Sequence, residues 1–145
     1  MDEIDRKILM HLQQNARVSM TELGKAVGLT SPATAERVRK LEERGVITGY
    51  RATVTAEKLN KQLTAYLLFD IRSQNGFSTF CGQHPDVVEC HRVAGPYSHL
   101  TKVVTCSARS LEQFIDEAEA YGRATTLLVL SSPIEQKCIL PDITS

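Results

Sequence analysis

Apolar positions in the first fifty residues recur at helical spacing in three separate blocks. Ile4, Ile8, Leu9 and Leu12 form the first stripe and predict a helix from Asp2 to about Asn15. Its acidic start, Asp2, Glu3 and Asp5, suits the positive end of the helix dipole. Leu23, Ala26 and Val27 form the second stripe. Ser19 and Glu22 stand before it as S-x-x-E, so that each side chain can satisfy a backbone N–H at the helix start. Gly28 follows and suits a left-handed cap, and Leu29 closes the turn against the core. The third helix runs to about Arg44, with Ala35, Val38 and Leu41 as its inner face. Thr30 or Ser31 can cap it, and Pro32 fits its first turn. Gly45 ends it. Val46-Ile47 then begins a strand that continues as a small wing through Tyr50-Arg51-Ala52-Thr53-Val54.

The period changes after residue 54. Residues 55–62 read as a connector with a helical turn at AEKLNK. Strands are expected at Leu63 to Ile71, Val87 to Ala94, His99 to Cys106 and Thr125 to Leu130. Helices are expected at Gly76 to His84 and Ser110 to Tyr121, the second capped by Ser110, and the tail to Leu140 can add pairing. The order β-α-β-β-α-β is that of a ferredoxin-like sheet with both helices on one face. The chain is thus α+β, with a winged helix-turn-helix over 1–54, the connector 55–62, and a ferredoxin-like βαββαβ domain over 63–145.

Alternation within these strands changes the picture. Ala65, Leu67, Phe69 and Ile71 line one side of the first strand, while Tyr66 and Leu68 line the other. Thr126, Leu128 and Leu130 oppose Leu127 and Val129. A half-solvated antiparallel sheet alternates apolar with polar, and this one is largely apolar on both faces. The second face calls for a cover, which a second copy of the same sheet supplies in a symmetric dimer.

Charge points to a partner for the first domain. The 145 residues carry 17 Lys and Arg against 17 Asp and Glu, so no global basic field announces nucleic acid. On the third helix, however, Ala33, Arg37, Lys40 and Arg44 line up along one side at spacings of four, three and four. A capped second helix after a tight turn, bearing such a stripe, is the pattern of a helix-turn-helix that enters the major groove. The expected DNA contacts are Thr30, Ser31, Ala33, Thr34, Arg37, Lys40, Arg44 and Arg51. Small residues at the helix start allow close approach, Arg37 forks onto guanine, and Lys40 and Arg44 meet phosphates. Glu36, Glu42 and Glu43 pair with nearby cations.

Other chemistry is thin. Cys81, Cys90, Cys106 and Cys138 show no C-x-x-C spacing, and Cys90, His91, His99 and Cys106 fit no zinc pattern, so no metal is expected. Thiols of this kind fit a reducing cytoplasm. There is no secretory signal and no apolar run long enough for a membrane span. No nucleophile–base–acid set and no phosphate loop appear, which argues against an enzyme and against a cofactor.

Three segments, IDRKIL, GLTSPATAERVRKLEERGVITGY and ECHRVAGPYSHLTKV, carry a resemblance over nearly the whole length. The chain resembles the Lrp/AsnC family of bacterial and archaeal transcription regulators. The resemblance implies a DNA-binding regulator that works in the cytoplasm, on the nucleoid. It also implies dimers built on the C-terminal sheet, often assembled into octamers or larger rings, and amino-acid effectors bound at contacts between dimers. It places the effector turn at Gly95, Pro96, Tyr97, Ser98 and His99. Here the sequence departs from the family, which commonly has acidic residues after this glycine. Ser98 can accept a hydrogen bond but cannot supply a charge to an ammonium. The segment Tyr121-Gly122-Arg123 also departs from the family's usual Pro-Gly turn. An effector-independent architectural protein that wraps DNA is the alternative expectation.

Overall fold

The computed structural model describes residues 1–72 and 76–142. These form two compact units: Met1–Thr53 together with the tail from Ile134, and Val54–Pro133. The tail, expected to belong with the second domain, packs with the first unit instead; residues 143–145 of that span lie outside the described residues.

The first unit holds three helices: α1 (Glu3–Gln14), α2 (Met20–Val27) and α3 (Ser31–Glu43). Asp2 caps α1 in a reciprocal capping box with Asp5, and Ser19 caps α2 in another with Glu22. Gly28 ends α2 with φ 77°, a conformation that excludes most side chains. Thr30 is the cap of α3: its side chain accepts from Ala33 N. The shared core is Ile8, Leu9, Leu12, Leu23, Val27, Val38 and Leu41. Thr34 completes the inner face of α3, in the place expected for Ala35, which is exposed. The hydroxyl makes this burial affordable, since Thr34 Oγ1 donates to Thr30 O at 2.8 Å.

No strand follows α3. Residues 46–54 carry no ladder pairing, so the expected wing strand is absent. A single β-rich segment without a partner leaves its backbone groups to water, and its propensity alone cannot make a strand. The chain leaves α3 through Gly45, and Val46 N and Ile47 N both donate to Leu41 O. Tyr50 Oη donates to Glu42 at 2.7 Å. The tail returns to α1 by two reciprocal bonds: Gln13 Nε2 donates to Ile139 O at 2.8 Å, and Ile139 N donates to Gln13 Oε1 at 2.9 Å.

The second unit opens with a 3-10 turn at Ala56–Leu59, where the helical turn was expected. Then come β1 (Leu63–Ile71), α4 (Phe77–Gln83), β2 (Val87–Arg92), β3 (His99–Thr105), α5 (Ala108–Ala118) and β4 (Gly122–Leu128). The sheet is antiparallel with order β2-β3-β1-β4, the ferredoxin-like arrangement. Ser107, not Ser110, caps α5; its side chain accepts from Ser110 N. Strand β4 begins three residues earlier than expected, because Gly122, Arg123 and Ala124 pair with Ile71, Asp70 and Phe69. Tail residues 129–142 add no further strand. Ala65, Leu67, Phe69 and Ile71 of β1 pack with Val103 beneath Phe77, Cys81, Leu111, Phe114 and Ala118 of the two helices. Tyr66 and Leu68 point to the other face, beside Leu100 and Leu127 in register, and Leu127 is 50% exposed.

The turn between α2 and α3 has one tight point that gives a direct test. A Cβ on Gly24 would lie 2.6 Å from Leu29 O and 2.9 Å from Thr34 Oγ1. Gly24→Ala is therefore expected to destabilise the first unit by about 1–3 kcal/mol through overpacking, despite alanine's better helix propensity. Denaturant unfolding followed by helical circular dichroism would check this; a stabilised variant would contradict the packing described.

Candidate nucleic-acid interface

Burial sorts the expected DNA contacts. Ala33 and Lys40 of α3 are exposed, as are Thr30 before it, Arg44 at its C-cap and Arg51 beyond it. Ser31 is half-buried. Thr34 is 0% exposed and bonded within its own helix, so it cannot meet a base edge. This corrects the expectation for Thr34: its polarity hides a core position.

Arg37 has partners of its own inside the first unit. Its Nη1 donates to Asp2 Oδ1 at 2.9 Å, Asp2 Oδ2 at 2.7 Å and Asp5 Oδ1 at 2.9 Å. The guanidinium spans from the middle of α3 to the first turn of α1. A recess of about 290 Å³ lies along this side, lined by Asp5, Arg37, Lys40, Leu41 and Arg44. Two carboxylates hold one end of the guanidinium, and the Arg37 side chain remains 32% exposed. The side chain thus braces α3 against α1 through Nη1, the one guanidinium nitrogen that these bonds use.

The electrostatics of the brace have a pH consequence. The Asp5 backbone N–H and then the Arg37 guanidinium hold the Asp2 carboxyl below its ordinary value of 3.8. Asp2 and then Asp5 push the Arg37 pKa upward. Other cations of α3 are paired along the helix. Arg39 donates from Nε and Nη2 to Glu36 at 2.9 and 2.7 Å and also contacts Glu43. Lys40 lies 3.7 Å from Glu36. Arg44 has no ion pair among the described residues. Sequence reasoning passed over Arg39, although counting 100° per residue from the buried stripe places it on the opposite, outward side.

The effector turn has its own geometry in the second unit. Gly95 has φ 134°, which a side chain rarely adopts. Gly95 and Pro96 are exposed and Tyr97 is half-buried, with its hydroxyl 3.4 Å from Thr125 Oγ1. Ser98 is used internally: its Oγ accepts from Ile71 N at 2.9 Å and donates to Phe69 O at 3.1 Å. His99 is buried, edge-on to Phe77 at 5.1 Å, and burial, with Arg92 second, pushes its pKa below the usual value. Ser98 and His99 thus stitch the turn to β1, and the outward groups of the turn are Gly95, Pro96 and Tyr97.

Two family models match the chain: an AsnC-type helix-turn-helix domain at residues 1–42 and the Lrp/AsnC ligand binding domain at residues 64–139. The chain is 57% identical over 132 residues to the uncharacterized HTH-type transcriptional regulator YezC of Bacillus subtilis, covering 91% of this chain and 95% of that one. It is 36% identical over 122 residues to the leucine-responsive regulatory protein of Rhizobium meliloti, covering 81% and 78%. The solved structure of Bacillus subtilis LrpC matches with a TM-score of 0.89 at 28% identity, over 94% of this chain and 99% of that one.

The brace predicts how acid unfolds the first unit. A carboxyl whose folded pKa is depressed contributes stability above its unfolded pKa and loses it as pH falls through the folded value. The Asp2 contribution is thus full at neutral pH and fades below about pH 4. Asp2→Asn is expected to lower stability at pH 7 and to flatten the acid limb of the stability–pH curve. Unfolding midpoints at several pH values would show it; parallel curves for wild type and variant would contradict the brace.

Proposed function

The chain belongs to the Lrp/AsnC family of transcription regulators, and from that premise we propose that it couples DNA binding to an amino acid or related small metabolite. The observation that carries the DNA half is α3 itself. It is capped by Thr30 and packed by Thr34, Val38 and Leu41, with Ala33, Ala35, Glu36, Arg39 and Lys40 exposed. Docked in the major groove, Thr30, Ser31 and Ala33 at its start approach the bases and backbone, while Lys40, Arg44 and Arg51 meet phosphates. Arg37 holds the helix at its angle to α1. DNA as the partner places the protein's work in the cytoplasm, at the nucleoid.

The effector half rests on the second unit, whose matching family model is described as ligand binding. The ligand position in this proposal is the exposed side of the Gly95 turn, where Tyr97 offers a hydroxyl and residues 95–99 themselves carry no carboxylate. Dimerisation through the sheet is part of the same proposal. Tyr66, Leu68, Leu100 and Leu127 form a face that α4 and α5 do not cover, and two such faces packed together would bury it. Octamers or larger rings would then follow from contacts between dimers, and the two recognition helices of a dimer would enter successive grooves roughly 34 Å apart.

Fluorescence anisotropy on DNA from upstream of the protein's own gene, at fixed salt, with and without pooled amino acids, tests the proposal. A midpoint shift is expected with the pool; tight binding without a shift would remove the effector half, and absence of binding would remove the DNA half. Lys40→Ala and Arg44→Ala should each lower the slope of log affinity against log salt by roughly 0.9, one counterion per phosphate contact. Leu68→Glu places a charge in the uncovered face and is expected to convert dimers to monomers in sedimentation velocity; unchanged sedimentation would put the dimer interface elsewhere.

A further inference from the structure

Three buried positions decide which side of α3 can touch a partner. Thr34, Val38 and Leu41 face the core. At 3.6 residues per turn, the direction opposite them runs through Pro32, Glu36, Arg39 and Glu43. The Ala33–Arg37–Lys40–Arg44 side lies roughly a quarter turn away from that direction. Of the guanidiniums on α3, Arg37 is tied to α1 and Arg39 stands outward, with its side chain 51% exposed.

The pairing of Arg39 prepares it for planar recognition. Glu36 takes Nε and Nη2 together, a bidentate grip that fixes the plane of the fork. Nη1 is occupied by one contact, to the exposed carboxylate of Glu43. An exposed pair of that kind is weak and exchanges easily. The edge made by Nη1 and Nη2 matches the N7 and O6 acceptors of guanine in the major groove. Toward the helix start Pro32, Ala33 and Ala35 are exposed and short, which lets that end settle close to the bases.

On the reading that α3 enters the major groove, we propose that Arg39 is the side chain that discriminates base pairs, by forking onto a guanine. Glu36 is its positioning residue. Arg37, two residues earlier and tied to Asp2 and Asp5, braces the helix and is not the reader.

The test uses the full chain. Wild-type protein first enriches a preferred duplex from a random-sequence pool. Affinities for that duplex and a scrambled one of equal length are then measured at one salt concentration. Arg39→Lys keeps the charge and loses the fork. It is expected to lower the preference ratio by about 5- to 150-fold while nearly preserving affinity for the scrambled duplex. Glu36→Gln should also lower the ratio, with affinity for the scrambled duplex no weaker, because a carboxylate near phosphates has been removed. A merely structural role for Glu36 would leave the ratio unchanged and shift only the melting temperature. Arg37→Lys should leave the ratio intact. The assignment is overturned if Arg39→Lys keeps the ratio, or if it weakens both duplexes equally, which would make Arg39 a phosphate contact. Failure of the wild type to enrich any sequence would remove the underlying DNA reading, and the assignment with it.

Discussion

The recognition helix can present only the sides that its two internal anchors leave free. One anchor is steric: Thr34 sits fully buried against the bare Cα of Gly24, where the turn leaves no room for a methyl group. The other is electrostatic: Arg37 reaches back to the first turn of α1 and is held there by Asp2 and Asp5. Together they fix both the rotation of α3 about its axis and its angle to α1. Lys40, Arg44 and Arg39 stand exposed, while Thr34 is buried and Arg37 is tied to α1.

This division of labour explains a chain without net charge that nonetheless binds a polyanion in the reading proposed. Acidic residues in the first unit are placed against specific cations. Asp2 and Asp5 neutralise Arg37, and Glu36 and Glu43 hold Arg39. Non-specific attraction is thereby kept modest, which favours discrimination over sheer affinity and makes two recognition helices on one duplex useful. The uncovered sheet face of the second unit supplies a physical reason for pairing them.

Much of this was legible in the sequence where the determining interaction is local. Both capping boxes, the Gly28 turn, the span Leu63–Ile71 and the βαββαβ order follow from neighbours three or four residues apart, or from alternation. What was not legible depends on distant partners. Arg37 and Asp2 are 35 positions apart, and Gln13 and Ile139 are 126. The wing segment has strand-forming residues but no strand beside it. Ala35 displaced Thr34 in the expected stripe because a buried hydroxyl bonded to Thr30 O behaves as apolar, which composition cannot reveal. The bonds of Ser98 to the β1 backbone and the packing of His99 edge-on to Phe77 are likewise set by residues distant in sequence.

Amide hydrogen exchange of the full chain with and without its preferred duplex tests the central claim most directly. If α3 docks by its outward side while its anchors stay in place, protection should rise over residues 30–44 and at Arg51, with the sheet strands unchanged. Protection gained in the sheet, with 30–44 unaltered, would contradict it.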